Sequence, residues 1–192
     1  MKRSLGSRSI AYPVPVWVIG TYDREGKPNV ATAAWVGICA SEPPAVCVSL
    51  RKERYTHANI LDRKAFTVNI PSEDYLKETD YFGLTSGFRH NKTAETGLTP
   101  VKGDLVDAPY LKEFPCVIEC KLLGHTDVGS HTAFIGEILD VKMDEEMLKE
   151  DGTPDVEKLK PLVLIPGSAS YYGVGKYLGK AYSVGKYCCS VT

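Results

Sequence analysis

The chain has 192 residues, enough for one domain with a sizeable core, and its 43% hydrophobic and 24% charged residues are ordinary globular values. A net charge of -1 gives no bulk attraction for nucleic acid or anionic membrane, and no basic block supplies a local one. Lys2 and Arg3 lead into no apolar run and no stretch approaches a membrane span, so a cytoplasmic protein with neither nucleic-acid nor membrane partners is expected.

Val14 to Tyr22 is apolar with β-branched residues throughout and reads as a strand buried on both faces. The turn cluster Asp23-Arg-Glu-Gly26-Lys-Pro28 then returns the chain as a hairpin partner over Asn29 to Trp35. Val46, Val48 and Leu50 alternate with Cys47, Ser49 and Arg51, so this strand turns its apolar face inward and its polar face toward a ligand. Tyr55 to Arg63 is a short helix with Thr56 at the expected N-cap. Phe66, Val68 and Ile70 form another alternating strand, and Ser72 caps a second helix with two acids in its first turn.

From Phe114 to Lys142 the pattern is one long hairpin, with arms over Val117–Leu123 and Phe134–Val141 joined through Thr126 to Ser130. Lys149 to Lys160 is charged and turn-prone, a surface loop with a short helix. Strands outnumber helices and follow one another as hairpins, which favours an antiparallel barrel over a parallel sheet. No linker divides the chain, so residues 1–192 are read as a single domain. Gly173-Val-Gly175-Lys-Tyr-Leu-Gly179 is no dinucleotide turn, because no βαβ unit can follow it.

Cys39, Cys47, Cys116 and Cys120 lie in apolar, strand-like stretches and are expected to be buried free thiols, with Cys39 close enough to the Trp35 segment to approach a ligand. Cys116 and Cys120 would stand about 13 Å apart along a strand. No CxxC or paired zinc spacing occurs, and no metal site is expected. Cys188-Cys189 is read as an exposed thiol pair in a polar tail.

The segments that carry chemistry are Thr32-Ala33-Ala34-Trp35, then Pro43-Pro44-Ala-Val-Cys-Val-Ser49-Leu50-Arg51, then Thr56-His-Ala-Asn59. Arg51 offers a permanently charged planar fork for a phosphate. The Thr56 hydroxyl and the free N–H groups of the following turn would point at the same place. Ala33, Ala34 and Ser49 are small enough for a flat ligand to lie on the backbone. Together they describe a site for a phosphate-bearing, ring-containing cofactor. Asn59 either touches that ligand or braces the phosphate loop, Trp35 is read as core or dimer contact bordering the ring, and His57 as a helper at the phosphate. Lys52 and Arg54 are read as solvated charges that enrich the field around it, with direct contact by one of them the alternative.

With Phe66-Thr-Val-Asn-Ile-Pro71-Ser72, these segments resemble the flavin reductase-like family, whose members have an FMN-binding split β-barrel; among them the flavoredoxins are the most similar. The resemblance implies a mainly β, antiparallel split β-barrel with short peripheral helices, forming a homodimer whose flavin sites lie near the interface. In that dimer the C-terminal Tyr/Gly segment is a candidate to complete the neighbour's site. It implies non-covalent FMN rather than FAD, with Arg51 and Thr56 on the phosphate and the backbone of Thr32–Trp35 and Ser49–Leu50 along the ribityl chain and ring. Gly129-Ser-His131-Thr-Ala-Phe-Ile-Gly136-Glu137 is similar to the family's G-x-H-x-x-x-x-G-[EQ] pattern, which puts His131 at the flavin and nicotinamide. It is expected on a different strand pair from the phosphate turn. Two functions follow from the resemblance: a flavoredoxin-like electron carrier working with a redox partner protein, or a reductase taking hydride from NADH or NADPH. A cofactor-binding module without turnover is a third, because fold does not fix function.

Overall fold

A computed structural model describes residues 1–186; the Cys188-Cys189 pair lies outside the described residues. Strands β1 (Val14–Pro15) and β2 (Trp17–Tyr22) open the chain, and β3 (Pro28–Ala33) returns on β2 with Trp17 opposite Ala33. β4 (Val36–Ser41) and β5 (Pro44–Arg51) form the next hairpin, and helix α1 (Tyr55–Arg63) follows. After β6 (Ala65–Ile70) come a 3₁₀ turn over Glu73–Tyr75 and the helices α2 (Leu76–Leu84) and α3 (Lys92–Thr96). The small ribbon β7 (Pro100–Lys102) and β8 (Pro109–Leu111) precedes the long hairpin β9 (Cys116–Val128) and β10 (His131–Met143). Helix α4 (Val156–Leu159) and strands β11 (Leu162–Ile165) and β12 (Ser170–Gly173) complete the described elements.

Seven strands make one antiparallel sheet in the order β3-β2-β6-β9-β10-β5-β4, and β1, β11 and β12 make a second, small one. The mainly β, antiparallel split-barrel architecture with short peripheral helices is therefore present. β5 behaves as its alternation requires: Val46, Val48 and Leu50 are buried and pack with Phe66, Phe134, Ile19 and Ile60 in the main core. β6 goes further than alternation, because Thr67 and Asn69 on its second face are fully buried too. Asn69 donates to the Val18 carbonyl and accepts from Leu111 N–H, so it is structural. Ser72 accepts from Asp74 N–H and caps the turn that leads into α2.

The long hairpin closes through Gly129 and Ser130 alone, with arms longer than the apolar pattern indicates. Gly136 on β10 is required by packing, since a Cβ there would stand 2.4 Å from the Phe66 ring. A buried carboxylate pins the loop beside this hairpin: Glu119 accepts from Asp104, Leu105 and Val106 N–H and is paired with Lys142. Of the four cysteines expected to be buried, Cys116 and Cys120 are, Cys47 is half-buried and Cys39 is exposed. The last is a correction: β4 is an edge strand and turns Ile38 and Cys39 to solvent. No described helix is long and apolar enough to cross a membrane.

Candidate functional site

The hairpin turn after β3 and the end of β5 come together because β4 folds back on β5: Ser49 N–H donates to the Trp35 carbonyl at 2.9 Å. Between them lies a cleft of about 250 Å³. Its floor is Ala31, Thr32, Ala33 and Ala34, whose small side chains leave the backbone open to a flat ligand. Ser49, Leu50 and Arg51 form one side and Trp35 another, with Arg54, Phe82, His131 and Leu164 around the rim. The Thr32 hydroxyl is already engaged, donating to the Thr79 carbonyl on α2, which leaves its backbone facing the cleft.

Arg51 keeps its guanidinium exposed; among the described residues its one ion-pair partner is Glu53, 3.6 Å away on the surface, which leaves the fork open to an anion. Arg54 also lines the cleft; it is exposed and donates to the Gly83 carbonyl at 3.2 Å, so it is a solvated cation held at the cleft. Lys52 instead pairs with Asp127 at 2.6 Å.

His131 stands directly opposite Arg51 in the β10–β5 register and lines the same cleft. The expectation that it belongs to a separate strand pair is therefore corrected: the turn after β9 delivers it beside the arginine. Ser130 Oγ lies 2.9 Å from His131 Nδ1, so the ring is oriented by a neutral hydroxyl.

The expectation that Thr56 is the N-cap of α1 is corrected. Arg54, in extended conformation, is the N-cap of α1, and Thr56 is buried at the second helical position, its hydroxyl accepting from Asn29 Nδ2 at 2.9 Å. Asn59 is buried as well and donates to Thr21 Oγ1 at 3.1 Å, tying α1 to β2. His57 also leaves the phosphate region, meeting Thr132 Oγ1 at 2.8 Å and the edge of Phe134. Trp35 is neither core nor fully exposed; it walls the cleft.

Sequence reasoning missed Lys92. A small hollow shares Ala31 and Arg54 with the cleft, and its other lining residues are Tyr55, Thr56, Thr85, Ser86, Gly87 and Lys92. Lys92 is 4% exposed and donates to the Phe82 and Thr85 carbonyls at the end of α2. Burial, with Arg54 nearby, lowers its pKa to about 8. Gly87 lets the loop pass, since a Cβ there would meet Asn29 Oδ1 at 2.2 Å. No motif marks Lys92; only the burial of an isolated lysine does.

A floor of small residues, two guanidiniums, a buried ammonium and an indole wall form a donor set suited to a flat ring on an anionic tail. Among the described residues no His, Cys, Asp and Glu group is arranged to hold a metal ion.

Comparison with known proteins agrees with this donor set. The family model described as the flavin reductase like domain matches residues 8–172. An uncharacterized protein of Archaeoglobus fulgidus is 36% identical over 145 residues, spanning 76% of this chain and 80% of its own. The solved flavoredoxin of Desulfovibrio vulgaris (Miyazaki F) superposes with a TM-score of 0.93 at 53% identity, covering 97% of this chain and all of that one. The flavoredoxin from Methanosarcina acetivorans gives 0.92 at 32% identity, covering 98% and 100%. The chain belongs to the flavin reductase-like family.

Proposed function

We propose that this flavin reductase-like chain is an FMN-binding redox protein that works as a flavoredoxin-like electron carrier. The observation that carries the reading is the convergence of Arg51 and Arg54 with the open backbone of Ala31–Trp35 in one cleft. FMN, held non-covalently, supplies reversible one- and two-electron chemistry in its ring. Arg51 and Arg54 meet the phosphate as charge-assisted donors, and Lys92 adds positive charge behind them. Backbone groups of Thr32–Trp35 and Ser49–Leu50 hold the ring and chain, while Trp35 and Phe82 keep water from its faces. The similarity to two flavoredoxins along almost the whole chain supports the carrier reading.

A second reading is an NAD(P)H-dependent flavin reductase. It draws on His131, which lines the cleft and whose imidazole, held by Ser130, is placed to orient an incoming nicotinamide. The reductase component of a nitrophenol monooxygenase from Rhodococcus opacus is 27% identical over 124 residues, 65% of this chain and 63% of its own. Anaerobic stopped-flow mixing of the FMN-loaded protein with NADH and NADPH separates the two. A carrier bleaches slowly with both and rapidly with a reduced redox protein; rapid bleaching by either nucleotide selects the reductase. The homodimer and the cytoplasmic setting belong to the same proposal, and a monomeric mass in sizing with light scattering contradicts the first.

A further inference from the structure

The first 22 residues carry Lys2, Arg3 and Arg8 and no acidic residue. Past Arg8 this segment runs beside Trp35 and lines a second cavity of about 350 Å³ that is widely open to solvent. Ile10, Ala11, Val14, Trp35 and Pro166 supply apolar walls, and Arg8 lines it with a positive charge. Trp35 lines both this cavity and the cleft, and Val14 is the cross-strand partner of Leu164, which also borders the cleft. Ile10 lies over Gly167 in the turn between β11 and β12, with its Cδ1 3.5 Å from a Cβ built there, so the segment is seated against that turn. Among the described residues no carboxylate lies within ion-pair distance of the Arg8 guanidinium.

We propose that this second cavity binds a small planar aromatic molecule bearing one anionic group, with Trp35 separating it from the flavin cleft. Its size falls in the range of small-ligand sites, about 300–1,000 Å³. Apolar walls and an indole favour a ring, and one planar guanidinium matches one carboxylate or sulfonate. A dinucleotide carries more negative charge than a single Arg8 answers. That the occupant lies one indole from a flavin rests on the function proposed above; its binding does not.

The test is isothermal titration of 1-naphthoate, and of the neutral 1-naphthalenemethanol, into the full chain with and without FMN. Naphthoate binds in both states, and Arg8→Ala weakens it about 10-fold or more, the scale of a lost charge-assisted pair, while leaving naphthalenemethanol unchanged. Ala11→Trp, at an exposed position, fills the cavity and abolishes binding of both probes. The proposal is overturned if wild type binds no naphthoate, if Arg8→Ala binds it normally, or if naphthoate displaces FMN. It is also overturned if Ala11→Trp changes the oligomeric mass without touching naphthoate binding, because the face then belongs to a second copy. Naphthoate binding without FMN uptake fails the flavin reading alone; FMN uptake without naphthoate binding fails this one alone.

Discussion

Arg51 and His131 face each other as direct cross-strand partners on β5 and β10 at the mouth of the cleft. A permanent cation and a titratable ring thus share one rim. Arg51→Ala removes the exposed guanidinium and is expected to weaken FMN binding by about 2–3 kcal/mol, measured by fluorescence titration. An unchanged dissociation constant puts the phosphate elsewhere.

Where nicotinamide is the donor, as in the reductase reading, His131→Ala is expected to slow flavin reduction by roughly 10²-fold, the low end for an orienting group. Because His131 neighbours Arg51, a small loss of FMN affinity accompanies it, smaller than that of Arg51→Ala. Paired stopped-flow and titration measurements check this, and an unaltered rate leaves the histidine outside the reaction.

Lys92 gives a pH signature. Its folded pKa of about 8 lies below the ordinary lysine value of 10.5, so the unfolded chain binds more protons between these limits. Burial of the charge therefore costs stability fully below pH 8, and the cost fades as pH rises to about 10.5. Urea midpoints of wild type relative to Lys92→Met are expected to rise between pH 7 and pH 10; a flat difference contradicts the buried ammonium.

Glu119 carries the opposite sign. Burial alone would raise its pKa, but Lys142 and the Leu105 and Asp104 N–H groups outweigh it and hold it below the usual glutamate value. Its contribution is present above the unfolded pKa and lost as pH falls through the lowered folded one. Glu119→Ala leaves the Asp104, Leu105 and Val106 N–H groups without their acceptor, while Lys142 keeps Asp140 at 2.8 Å, and a loss of about 1–3 kcal/mol in chemical unfolding is expected. A loss under 1 kcal/mol means the loop holds without it.

Local patterns made the strands and α1 legible: alternation placed the inner face of β5, and Tyr55–Arg63 is the helix read from the chain. β4 escaped because Gly37, Ile38 and Cys39 lie on an edge where no buried face imposes alternation. Thr56 looked like a cap because threonine is a favoured one, yet Asn29, distant in sequence, claims its hydroxyl inside the core. The proximity of His131 to Arg51 depends on the register of β10 on β5, and the burial of Lys92 on the packing of α3 against the end of α2. Both arise only from tertiary placement.

The most direct test of the central claim is titration of FMN into the purified apo-protein, followed by flavin fluorescence and absorbance. The account predicts saturable uptake of FMN with quenched fluorescence, weakened by Arg51→Ala. A folded wild-type protein that takes up no FMN contradicts it.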